Sequence, residues 1–160
     1  MKSVQILIGL LVLTGLTVPA SAELQADMRR LLDTKRCQQC DLSEADLSEA
    51  ELNGADLLGA NLQKTILRGA KLRGADLSSA NLIEADLSGA DLRDAKLHST
   101  TLRKANLSEA NLTWADLYRA FLEEAKFNNA NLENANLNDT KLTGTNFCGA
   151  TMPDGTKGPC

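Results

Sequence analysis

From Leu42 every fifth residue is Leu or Phe, without a gap, through Phe147; nothing else in this 160-residue chain so restricts its fold. The series runs for 22 consecutive units, with Phe127 and Phe147 its only non-Leu members. Two residues before each stands Ala, replaced only by Cys40, Thr65, Thr100, Thr140 and Thr145. The unit is therefore Ala-(Asp/Asn)-Leu-X-X, and Ala150 with Met152 extends it once more. A helix would spread every-fifth leucines around its whole circumference and leave no apolar face. A plain strand would send alternate leucines to opposite faces, because its side chains alternate and five is odd. A coil that turns a corner every five residues removes both conflicts. Each short side then points Leu and Ala inward, and Asp or Asn with the two X residues outward. Four sides close a square of about 20 residues, so that a period of 20 brings side chains into vertical columns.

This pattern over residues 40–152 resembles the pentapeptide-repeat family, whose members form right-handed quadrilateral β-helices. The resemblance implies an all-β fold, a solenoid of about 5.5 coils, on the order of 26 Å long at roughly 4.8 Å per coil. The approach Thr34-Lys35-Arg36-Cys37-Gln38-Gln39-Cys40-Asp41-Leu42 and the exit Phe147-Cys148 to Met152-Pro153-Asp154-Gly155 are similar to those of exported cyanobacterial members. Aromatics are only 3% of the chain, which suits a core of many small identical layers. Each coil buries its leucines only against the coils above and below. Burial of a Leu contributes roughly 1.5–3 kcal/mol, set against a backbone entropy cost of comparable total size. Such an interior is full and has no room for a substrate.

The flanks divide the rest of the chain. Lys2, the apolar stretch Val4 to Val18 and Ala20-Ser21-Ala22 read as a secretory leader, 1–22, cleaved before Glu23. The apolar run falls short of the roughly 20 residues that span a bilayer, so no membrane attachment is expected once the leader is gone. Residues 23–39 form the approach to the solenoid. Leu24, Met28, Leu31 and Leu32 share one helical face, with Asp27, Arg29, Arg30 and Asp33 away from it; this predicts a short capping helix over the first coil. Residues 153–160 form a tail. Four cysteines in an exported chain imply disulfides. The rod separates Cys37 and Cys40 from Cys148 and Cys160 by far more than the roughly 7 Å a disulfide permits, leaving Cys37–Cys40 and Cys148–Cys160.

The net charge is −4, and loss of Lys2 with the leader makes it −5; neither value selects nucleic acid or a membrane surface. His98 is the only histidine, and no Ser-His-Asp or Cys-His set comes together, so no catalytic residues, metal ligands or cofactors are expected. Asp and Asn recur by repeat grammar, as do the glycines at corners. The sequons at Asn106, Asn111 and Asn138 arise from the same grammar. Charge alternates from coil to coil: residues 41–60 carry six acids and no base, whereas 61–80 carry Lys64, Arg68, Lys71 and Arg73 against Asp76. The column Glu44, Lys64, Glu84, Lys104, Glu124 does the same. Opposite charges on adjacent strands pin register. Some pentapeptide-repeat proteins bind type II topoisomerases by mimicking DNA, which takes a continuous acidic stripe; here the stripe is interrupted. No nucleic-acid partner is expected.

Two functional expectations remain. Trp114, Tyr118 and Phe121 are expected outward around one corner, with His98 one coil from Tyr118 and Ile83 on the side of Phe121, forming a contact patch for a protein partner or a second copy. The alternative is a thiol-disulfide redox module through Cys37 and Cys40. The reading as a whole is a non-catalytic interaction scaffold in the periplasm, or in the thylakoid lumen for a cyanobacterial or plastid source.

Overall fold

A computed structural model describes residues 19–160. The expected leader lies almost entirely outside the described residues, apart from the first turn of α1, which spans Pro19–Thr34 and runs through the expected cleavage point. Among the described residues no helix is long and apolar enough to cross a membrane.

Beyond α1 the chain winds as a β-helix. Parallel bridges join residues 20 apart without interruption from Arg36↔Asp56 to Asn131↔Thr151. Each side of a coil contributes one bridging residue, the one before the Leu, most often Asp or Asn. The unit 91–95 shows how five residues satisfy five N–H groups. Asp91 donates to Ala70 O in the coil below (2.9 Å), and Leu92 to Asn111 O in the coil above (2.7 Å). Asp94 donates upward to Thr113 O (3.1 Å), and Ala95 closes the turn on Leu92 O (3.1 Å). That leaves the Arg93 N–H, which donates to the Asp91 carboxylate at 3.3 Å. The same local bond recurs from Ser43 on Asp41 to Thr156 on Asp154. Asp and Asn therefore precede Leu because a short side-chain acceptor is needed there for the one donor the ladder leaves over.

The corner is bought with backbone conformation. The second X residue of nearly every unit is left-handed, as at Glu44 (φ 60°), Asp94 (φ 59°) and Trp114 (φ 62°). Glycine removes the steric cost at some corners, such as Gly69 and Gly89.

Inside, the Leu and Ala columns are almost fully buried from Leu42 to Leu132. Threonine in the Ala column keeps its hydroxyl satisfied: Thr65 donates to Leu42 O and Thr100 to Leu77 O, each at 2.8 Å. Phe127 and Phe147 stack on one another in consecutive coils, centroids 5.2 Å apart. The ladder also reaches further toward the N-terminus than the Leu series. Cys37 takes the Leu position of a unit bridged through Arg36, and its N–H donates to Asp56 O at 2.7 Å.

The two ends differ. Leu31 of α1 is fully buried against the first coil, with Leu24, Met28 and Leu32 packed beside it. Asp27 departs from the expected polar face: it is buried, pairs with Arg30, and accepts the Asp41 N–H at 3.0 Å. In every later coil that N–H would find a carbonyl in the coil below; in the first coil Asp27 supplies the acceptor. At the other end, Cys148 and Cys160 are joined and Lys157 forms an antiparallel bridge with Thr151. Gly158 is buried over Phe147, donating to Ala150 O at 2.8 Å; a Cβ there would overlap the Phe147 carbonyl. The tail does not reach the sides of Leu137 and Leu142, and Leu142 is 42% exposed.

Candidate functional surface

Polar chemistry in this protein is confined to the outer faces and the ends, because the columns inside are Leu, Ala, Phe and satisfied Thr. The expected aromatic patch does not form as one cluster. Trp114 stands alone at the corner after the Leu112 side and is 63% exposed. Tyr118 lies on the next side and Phe121 on the one after, both half-buried. Of the outward aromatic rings only His98 and Tyr118 meet, centroids 5.2 Å apart and tilted. The guanidinium of Arg119 covers the Tyr118 ring at 4.9 Å, and that of Arg103 covers Phe121 at 5.5 Å. Ile83 lies two coils from Phe121, with Arg103 between them. The correction has a simple cause. Residues three and four apart here straddle a square corner, and a nearby arginine lays its guanidinium over each of the Tyr118 and Phe121 rings.

Charged groups pair across coils. Arg103 reaches Glu123 at 3.1 Å, Arg73 reaches Asp94 at 3.1 Å, Lys96 reaches Asp76 at 3.5 Å and Arg119 reaches Asp139 at 3.8 Å. In the Glu44 column the one pair that closes is Lys104–Glu124, at 4.0 Å. Within a coil Arg93 makes a two-pronged contact with Asp91, which holds the Asp91 carboxyl below its ordinary value against the effect of burial. Bonds from Ser43 and Ser48 likewise lower the carboxyls of Asp41 and Asp46. None of these carboxyls is shifted upward, as a general acid working near neutral pH would be.

The cysteines sit at the ends. Cys37 and Cys40 are bonded (S–S 2.04 Å), as are Cys148 and Cys160 (2.03 Å). The first pair spans one turn of the first coil beneath α1, and its residues are 0% and 2% exposed. The Asp27 carboxylate lies within 4.8 Å of both sulfurs, but sulfurs joined to each other cannot ligate a metal. A redox protein must present a sulfur to its substrate, and this pair presents none. Among the described residues, shallow depressions on the outside include these two. One, of about 510 Å³, lies over the Gly69 and Gly89 corners between Glu49 and Glu109. The other, of about 400 Å³, is lined by Arg119, Phe121, Asp139, Thr140 and Lys141 beside the open C-terminal end. Sequence reasoning missed both Asp27 and the open end; each is set by what lies at a terminus of the stack, which a periodic pattern does not encode.

A polar-jacketed stack of five-residue sides is the architecture of a right-handed β-helical solenoid. The family model for pentapeptide repeats matches residues 40–78, 70–108, 105–144 and 115–152, and the chain belongs to that family. Three solved structures illustrate the likeness. HetL, a pentapeptide repeat protein involved in heterocyst differentiation regulation in the cyanobacterium Nostoc sp. strain PCC 7120, is 34% identical; the match covers 77% of this chain and 72% of HetL, with a TM-score of 0.54. Rfr23 from the cyanobacterium Cyanothece 51142 is 28% identical over 77% of this chain and 94% of its own, with a TM-score of 0.57. Alr5209 from Nostoc PCC 7120 is 39% identical over 63% and 78%, with a TM-score of 0.53. No curated protein gives a significant match.

Proposed function

We propose that this chain is an exported, non-catalytic interaction rod: a quadrilateral solenoid of about 5.5 coils whose outer faces meet a protein partner. The observation that carries this reading is the division between a filled apolar interior and an exterior that carries the charged side chains of the coils, with buried Asp27 confined to the N-terminal cap. Export is supported by the leader pattern at 1–22 and by two disulfides that use all four cysteines. The compartment is the periplasm, or the thylakoid lumen where the source is cyanobacterial or plastid. The protein needs no cofactor, and after leader removal it neither enters a membrane nor binds nucleic acid.

Trp114 is the largest side chain exposed to solvent and the first position to probe. Trp114→Ala should leave the melting temperature within about 2 °C of the parent, since little apolar area is lost from the core. Photocrosslinkers placed at outward positions on each of the four sides, tested in the exported compartment, would locate the partner. Partner crosslinks concentrated on one side, and weakened by Trp114→Ala or by changes nearby on that side, support the reading. Turnover of a small substrate, or mature protein retained with four free thiols, would overturn it.

A further inference from the structure

We infer that the open C-terminal end of the rod is a docking site for an extended acidic peptide segment of a partner, independent of the outer-face reading. Among the described residues, nothing is stacked on two of the four sides of the last coil, those of Leu137 and Leu142. The Leu42, Leu47, Leu52 and Leu57 side chains at the other end are 0–1% exposed, whereas Leu142 is 42% exposed. The rim above it is rich in donors. One coil earlier, the N–H groups of Leu117, Arg119, Leu122 and Glu124 donate to carbonyls of the coil above at 2.9–3.0 Å. The equivalent N–H groups of Leu137, Asp139, Leu142 and Gly144 find no acceptor among the described residues. By the bonding pattern of the ladder, each side of this rim offers two upward N–H groups for every upward carbonyl.

That imbalance selects the occupant. Two copies meeting by these ends would set donors against donors. A head-to-tail stack of copies would match donors to carbonyls, but α1 and its Asp27 bond already close the other end. An extended segment supplying carbonyl and carboxylate oxygens fits, with an apolar residue over Leu142. The charge beside the rim agrees. Lys141 is exposed and makes no ion pair among the described residues, and Arg119 meets Asp139 only at 3.8 Å between two exposed side chains. Both cations line the depression of about 400 Å³ whose apolar wall is Phe121. A partner carboxylate lying between them would neutralise a site the rod leaves positive.

The chain itself provides suitable probes. A blocked decapeptide with the sequence of residues 41–50 carries four acids and Leu at five-residue spacing; one with the sequence of 64–73 has the same spacing and four bases. Each is titrated into the full mature protein to 1 mM, with amide chemical shifts recorded. The acidic peptide should bind at least tenfold more tightly than the basic one and shift the amides of Leu142 and Gly144. Leu142→Asp and, separately, Lys141→Glu should each weaken it about tenfold. Where Leu142→Asp fails to fold, Lys141→Glu, at an exposed position, decides. No binding at 1 mM, equal binding of both peptides, or undiminished binding to folded variants would overturn the proposal. So would a dimer in sedimentation that Lys141→Glu dissolves, which would make the occupant a second copy.

Discussion

Leu92 offers the most direct test of the stack. Its side chain is fully buried in the middle of its column, 20 residues from Leu72 and from Leu112. Replacing it with Ala removes the transfer free energy of the lost methyl and methylene groups and leaves a cavity that the rigid ladder cannot collapse. Buried Leu→Ala changes cost about 2–5 kcal/mol, and a site hydrogen-bonded to coils above and below belongs near the middle, about 3–4 kcal/mol. At roughly 2–4 °C per kcal/mol for a domain of this size, the melting temperature should fall by about 10 °C. Leu92→Asp is worse, because the local N–H donors of the unit 91–95 are all engaged and a carboxylate would sit unpaired among leucines. That variant should lose its cooperative transition. Leu92→Phe should cost about 1–3 kcal/mol, since Phe127 and Phe147 are accommodated as a stacked pair and a lone ring at 92 has no such partner. Thermal unfolding followed by far-ultraviolet circular dichroism measures all three. A Leu92→Asp melt that overlays the parent would refute the inward placement of the column.

Asp27→Ala should lower stability by about 1–3 kcal/mol and speed hydrogen exchange at the Asp41 amide, which loses its acceptor; unchanged exchange there would remove Asp27 from the cap. The carboxyls of Asp41, Asp46 and Asp91 are lowered chiefly by bonds from Ser43, Ser48 and Arg93, so the stability they lend is complete above about pH 4 and lost as the pH falls through the depressed folded values. The melting temperature should therefore be level from pH 7 to about 5 and decline below 4. Asp46→Asn, which keeps an acceptor for Ser48, should flatten that decline, and a steeper one would contradict the assignment. Mild reductant without denaturant should open Cys148–Cys160 first, because Cys160 is exposed while Cys37 and Cys40 are buried; mass spectrometry showing the reverse order would mean that α1 lifts readily from the first coil.

The repeat was legible because Leu in phase is a translational signal, and the same five-residue geometry acts on every copy. What the phase does not carry is identity at a break in the pattern. Cys37 occupies a Leu position, yet its chemistry hides it from a search for leucines, so the ladder begins at Arg36 rather than at residue 40. Leu142 obeys the pattern fully and is exposed all the same, since burial in a stack depends on a neighbour above and not on the residue itself. Tyr118 and Phe121 pointed outward as their positions require, but Arg119 and Arg103 were free to lie over them. Long flexible cations make surface aromatics poor guides to contact when only their spacing is known. Asp27 shows the same limit in the helix: helical periodicity placed it off the apolar stripe, whereas a single orphan amide drew it inward.

The 20-residue register also gives the molecule a gearing between length and direction. Each added or deleted unit of five residues turns the C-terminal end by a quarter turn about the axis relative to α1. Twenty residues change the height by one coil, about 4.8 Å, and restore the original heading. Excising residues 76–95 would shorten the rod while leaving the two unstacked sides facing the same way relative to the cap. Excising only 76–80 would swing them round to a neighbouring side. Evolution by unit duplication in such a protein is therefore a choice of compass bearing as much as of reach.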